Sequence, residues 1–179
     1  MGKTVKLTEI ETGKTFTIAG IEFIKFSEEN GETVAVAKSI VFNSRFGDSN
    51  DLRSSDVLKK LSTDFLPKLV EAVGDENICE CETDLTTLDG LKPYGVMKTK
   101  VSLPTLDFYR KNVDIFDKHK TGSWWWLATP ESAQPHDNPS WILCVAPSGD
   151  IGFIDFCINS HGVRPFCILK SDIFVSCEE

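Results

Sequence analysis

Apolar and polar residues alternate with a period of two over several short stretches of this chain, and with a helical period over one longer one. Thr15–Ile18 and residues 21–26 alternate around Ala19-Gly20 and predict two strands; Asn30-Gly31 is a strong hairpin signal ahead of a third, 33–40. Residues 42–53 are polar and rich in Gly, Ser, Asn and Asp, which predicts a loop. Ser54-Ser55-Asp56 then caps a helix whose apolar positions Val57, Leu58, Leu61, Phe65, Leu66, Leu69, Val70 and Val73 keep helical spacing up to Gly74. Pro67 should break or restart that helix, with Asp64 as a second N-cap.

Beyond Gly74 the pattern shortens. Residues 78–83 read as a short strand, and 84–100 as irregular chain carrying Asp89-Gly90 and Pro93-Tyr94-Gly95. A strand at 101–103, a short helix at 104–112 and a charged loop at 118–122 lead into Trp124-Trp125-Trp126. Residues 141–146 and 151–156 flank Pro147-Ser148-Gly149-Asp150, which has the turn residues of a hairpin. A further strand, 163–169, would place Arg164, Phe166 and Ile168 on one face and Val163, Pro165, Cys167 and Leu169 on the other. An arginine sharing a face with Phe and Ile needs acceptors if it is buried. Arg164 is therefore expected to be a structural clamp, tying the last strand to a loop. Trp125 and Trp126 are expected to be structural as well, since each indole brings a large apolar surface.

The 179 residues suit one domain, 1–179, with its core over about 15–174. The net charge of −8 argues against direct nucleic-acid binding, which wants a basic stripe. No segment reads as a signal peptide or membrane span, so a cytoplasmic location, or a virion assembled in the cytoplasm, is expected and no membrane partner. Six cysteines then read as free thiols, with Cys144, Cys157 and Cys167 in apolar segments acting as small hydrophobes. Cys79-Glu80-Cys81 is not a C-x-x-C, and His119, His136 and His161 have no zinc spacing.

Trp125-Trp126-Leu127-Ala128-Thr129-Pro130 and Gly162-Val163-Arg164-Pro165-Phe166 carry a family likeness. The chain resembles a bacterial and phage domain-of-unknown-function family whose signature is WWLRSP followed by GVRPA, similar to C-type-lectin-like folds. Ala128 and Thr129 stand where that motif has Arg and Ser, Ser148-Gly149-Asp150 inverts its turn Asp-Gly, and Phe166 replaces Ala. The likeness implies an α+β, C-type-lectin-like single domain of small antiparallel sheets with two or three flanking helices and an irregular loop region. It also implies termini that lie close together in one sheet, with Trp125, Leu127, Phe153 and Phe166 in or beside the core.

Folds of this kind usually bind things, and the candidate surface falls between the two motifs, at 131–141 and 155–161. Its polar and aromatic residues are Gln134, His136, Asp137, Asn138, Trp141, Asp155, Asn159 and His161. Gln134, Asp137 and Asn138 offer oxygen ligands with none evident opposite, so no cofactor is expected, with calcium and zinc left open. No G-x-S-x-G, P-loop or dinucleotide pattern occurs, and Ser160-His161 are too close in sequence to converge as nucleophile and base; no catalysis is expected. The expected function is a non-catalytic recognition module, phage- or prophage-derived, taking a protein or glycan. The alternative is a small acidic intracellular inhibitor of a host nucleic-acid-binding defence protein, steered by charge. Oligomeric state is left open.

Overall fold

Each hairpin foreseen from its turn residues forms. In the computed structural model, which describes residues 2–136, 140–156 and 160–178, β1 (Lys3–Lys6) leads through a short 3-10 turn to β2 (Thr15–Ile18) and β3 (Ile21–Glu29). Asn30 and Gly31 both take positive φ, 52° and 76°, and turn β3 into β4 (Glu32–Ala37). That left-handed pair is why Asn-Gly serves here. The polar stretch 42–53 is not only loop: β5 (Phe42–Ser44) pairs with a later strand, and Leu52–Ser54 form a 3-10 turn.

The main helix starts where its cap predicts, Ser55 Oγ accepting from the Leu58 N–H at 3.0 Å. It runs as α1 (Asp56–Lys60), a π turn (Leu61–Phe65) and α2 (Leu66–Val73), ending at Gly74 with φ 86°. Pro67 neither breaks nor restarts it, and Asp64 is not a cap. The π turn absorbs the missing N–H and leaves Leu61, Phe65 and Leu69 facing the core.

The stretch read as one strand, 78–83, is two: β6 (Ile78–Cys79) and β7 (Cys81–Asp84) join different sheets. β7 pairs with β8 (Val96–Thr99) as a separate ribbon, and β9 (Val101–Ser102) follows. Thr105 caps α3 (Leu106–Lys111), and a second short helix, α4 (Val113–Lys118), occupies residues with no clear sequence signal. β10 (Trp125–Pro130), β11 (Trp141–Val145) and β12 (Ile151–Asp155) come next, then β13 (His161–Val163), β14 (Phe166–Lys170) and β15 (Phe174–Cys177).

The result is a mixed α+β fold, mostly β, with one main helix. An eight-stranded sheet orders β1-β15-β2-β3-β4-β14-β6, with β9 also on β14; a five-stranded sheet orders β12-β11-β10-β13-β5. Among the described residues pairing is antiparallel except for one parallel bridge, Trp125 to Gly162. The termini meet as expected, Lys3 opposite Cys177 in the β1–β15 pair. The expected single strand 163–169 is corrected: Arg164-Pro165 interrupts it, sending β13 into one sheet and β14 into the other.

Alternation along β10 divides the tryptophans between two apolar clusters. Trp126 enters one with Phe46, Leu52, Val57 and Leu169, and Trp125 enters the other with Phe26, Tyr109, Phe116 and Leu143. The Trp126 Nε1–H donates to the Ser44 carbonyl at 2.8 Å, so its burial leaves no orphan donor. Leu127 is buried and Phe166 packs against the second cluster, as expected. Phe153 is not core: it is 51% exposed, on β12, the edge strand of its sheet.

Candidate functional site

The loop from 131 to 136 is built on two polar side chains that its own sequence does not contain, one buried and one at the surface. Asn50, with no exposed surface, donates through Nδ2 to the carbonyls of Ser132 (2.9 Å) and Trp141 (3.1 Å). Its Oδ1 accepts from the Tyr94 hydroxyl at 2.7 Å. Three chain segments are thereby pinned to one amide.

Asp89 is the second anchor. Its carboxylate accepts from the hydroxyls of Ser132 (2.6 Å) and Thr87 and pairs with His136 Nδ1 at 2.8 Å. Bonds from Ser132, then Thr87 and His136, hold the Asp89 carboxyl far below the usual carboxylate range. Backbone bonds from Leu88 N to Pro130 O (2.8 Å) and Asp89 N to Glu131 O (3.4 Å) close the same seam. Serine, histidine and aspartate meet here, but Ser132 donates to Asp89 rather than to the imidazole. That wiring fastens a loop; it does not activate a nucleophile. The Asp89 turn also walls a cleft of about 410 Å³ lined by Glu82, Asp84, Thr86, Thr105, Asp107 and Arg110.

Trp141 stands where this loop enters the sheet. It is 41% exposed, lies opposite Asp155 in the β11–β12 register, and meets the Phe153 ring edge-on with centroids 5.5 Å apart. Ile151, also on the exposed side of β12, extends the apolar surface along the edge strand. The roots of both expected loops meet here, since Phe156 N bonds Ser140 O at 3.0 Å.

Of the expected site residues, Gln134, exposed at a cis Gln134–Pro135 bond, His136, Trp141 and Asp155 fall on this side of the fold. Asp137, Asn138 and Asn159 lie outside the described residues, as does Cys157. His161 turns inward: its ring contacts Trp126 (4.8 Å) and Trp124 (6.4 Å), Nε2 is buried, and burial lowers its pKa. Asn50, Thr87, Asp89 and Tyr94 were not anticipated, and Ser132 falls inside the expected stretch 131–141 without having been singled out. Their turn-forming neighbours mark 87–95 as loop, but nothing local says that it docks onto residue 132.

Arg164 spans the two sheets as a clamp, its Nε donating to the Ala37 carbonyl at 2.9 Å. Several acidic residues pair with lysines. Glu28 pairs with Lys25, Asp75 with Lys100, Glu82 with Lys98 and Asp117 with Lys120. Among the described residues no group of three or more His, Cys, Asp or Glu side chains is arranged to hold a metal ion, and no helix is long and apolar enough to cross a membrane. Comparison with protein-family models, with curated proteins and with solved structures returns no match.

Proposed function

We propose that this protein is a non-catalytic recognition module of C-type-lectin-like architecture, phage- or prophage-derived, that binds a protein or a glycan through the surface around Trp141. One observation carries the reading. Trp141, Phe153 and Ile151 stay exposed beside a loop locked by Asn50 and Asp89. A large aromatic patch left in water costs solubility, and aromatic side chains on a rigid support are the usual anchors of a binding surface. The locked loop adds polar partners with little ordering entropy left to lose. The inhibitor alternative needs the net charge of −8 to steer it, and several of the acidic residues are paired with lysines.

The test pairs glycan-array screening and pull-down from host lysate with Trp141→Ala and Phe153→Ala. The expected outcome is a ligand whose affinity falls tenfold or more, about 1.4 kcal/mol, in either variant while the fold is unchanged. Undiminished binding by both variants would overturn the assignment of the surface. A basic nuclease released by salt alone would favour the inhibitor.

A further inference from the structure

The edge of β12 keeps main-chain groups without partners, and the register says which. Ala146 N bonds Asp150 O at 2.9 Å, Phe156 N bonds Ser140 O at 3.0 Å, and the β11–β12 register between them is unbroken. In an antiparallel ladder one residue turns both its N–H and its C=O to one side, and the next turns both to the other. Gly152 and Ile154 therefore bond β11, while Ile151 and Phe153 direct their N–H and C=O groups away from it. β12 is the last strand of its sheet, and no described residue supplies those groups with a partner. Nor does the strand carry a proline, lysine or bulge to guard its edge.

The surrounding side chains suit an incoming strand. Ile151 and Phe153 share one face with Trp141; on the other, the Trp124 ring sits over Gly152, within 2.8 Å of where a Cβ would stand. A β-branched residue placed beside Phe153 makes a favoured cross-strand pair. The exposed parts of Trp141, Phe153 and Ile151 come to on the order of 250 Å², against roughly 800 Å² per partner in a stable interface. That area, with a net charge of −8 on each copy, disfavours a second copy of the chain. A peptide needs less, because main-chain hydrogen bonds contribute its affinity. A glycan needs polar side chains, and Ser132 and His136 already direct theirs to Asp89. Asp150, at the turn end of β12, bonds Ser148 Oγ at 2.8 Å and pairs with no described lysine or arginine, so it favours a basic residue nearby.

We propose that β12 captures an extended peptide by antiparallel strand addition. The guest bonds the main chain of Ile151 and Phe153, alternates β-branched residues, and carries Lys or Arg toward its C-terminal end, beside Asp150. Resting on the recognition reading of this surface, the site takes a peptide and not a glycan. Acetylated, amidated octapeptides that alternate valine or isoleucine with threonine and end in two lysines should bind in titration calorimetry with Kd below about 1 mM. N-methylation of the valine or isoleucine amides, which face β12, should weaken binding at least about tenfold, and methylation of the threonine amides no more than about twofold. Phe153→Pro should bind about fivefold more weakly than Phe153→Ala, since proline removes an outward N–H that bonds nothing in the free chain. If that variant does not fold, the two methylated sets on the unaltered protein decide. No binding by any octapeptide, equal effects of the two methylated sets, or a dimer in sedimentation that Phe153→Lys abolishes would overturn the proposal. Glycan-array hits without peptide binding would overturn it too, while leaving the recognition surface standing.

Discussion

Replacing Asn50 tests whether one buried amide organises the candidate surface. In Asn50→Ala the Ser132 carbonyl loses its side-chain donor, and an unsatisfied buried carbonyl costs about 1–3 kcal/mol. The Trp141 carbonyl keeps the Glu131 N–H at 3.1 Å, so its loss is nearer 0.5–1 kcal/mol. The Tyr94 hydroxyl loses its acceptor, about 1 kcal/mol more. The expected total is about 3 kcal/mol, read as a fall in urea midpoint at constant m. Amide exchange should quicken at 131–136 and not in β3 and β4. Asn50→Asp should be worse at neutral pH, because a carboxylate would face two carbonyl oxygens. Its folded-state pKa would be raised, so the extra penalty is absent below the unfolded value near 3.9, grows as pH climbs to the folded value, then levels off. A cost under about 0.5 kcal/mol for Asn50→Ala, or an Asn50→Asp variant matching it at pH 7, would refute the reasoning.

Three further outcomes follow from the geometry. The Asp89 carboxyl is depressed in the folded state, so its contribution is complete above about pH 4 and fades as pH falls further; amide exchange at 131–136, measured down the acid limb, should speed up there first. Being about a third exposed (35%), Asp89 should cost less than about 1 kcal/mol of global stability on replacement by Asn, measured by urea unfolding. Trp126→Phe strands the Ser44 carbonyl and loosens the edge contact with Phe46; calorimetry should register a loss of about 2–4 kcal/mol. Burial pushes the Cys144 thiol up to about 12 and Cys167 higher still, so peptide mapping after alkylation should find both modified only on unfolding, well after the part-exposed Cys177.

What could be read from sequence was local chemistry. Asn30-Gly31, Pro147-Ser148-Gly149-Asp150, the Ser55 cap and the Gly74 stop each act within a few residues, and each appears where its pattern placed it. Features decided by distant partners were not legible. Pro67 looks like a breaker until the π turn before it is known, and Arg164-Pro165 sits inside an apolar alternation that conceals a change of sheet. Phe153 has a core residue's pattern, but its strand is the last in its sheet. Asn50 is one polar residue in a polar loop; its importance comes from Ser132 and Trp141, more than eighty positions away. Trp141 was legible as a surface residue; Phe153 beside it and the side chains that hold the neighbouring loop were not.

The pairing of β1 with β15 has a mechanical consequence. Lys3 faces Cys177 and Lys6 faces Phe174, so both chain ends leave from the same end of one antiparallel ladder. Tension applied between them would peel that ladder open one hydrogen bond at a time, instead of loading its bonds together in shear. Pulled by its two ends the domain should yield at low force, beginning at Lys3 and Cys177. Held by one end and pulled through a ligand at Trp141, it would bear the load through the sheets that share the core, with β1 and β15 still paired.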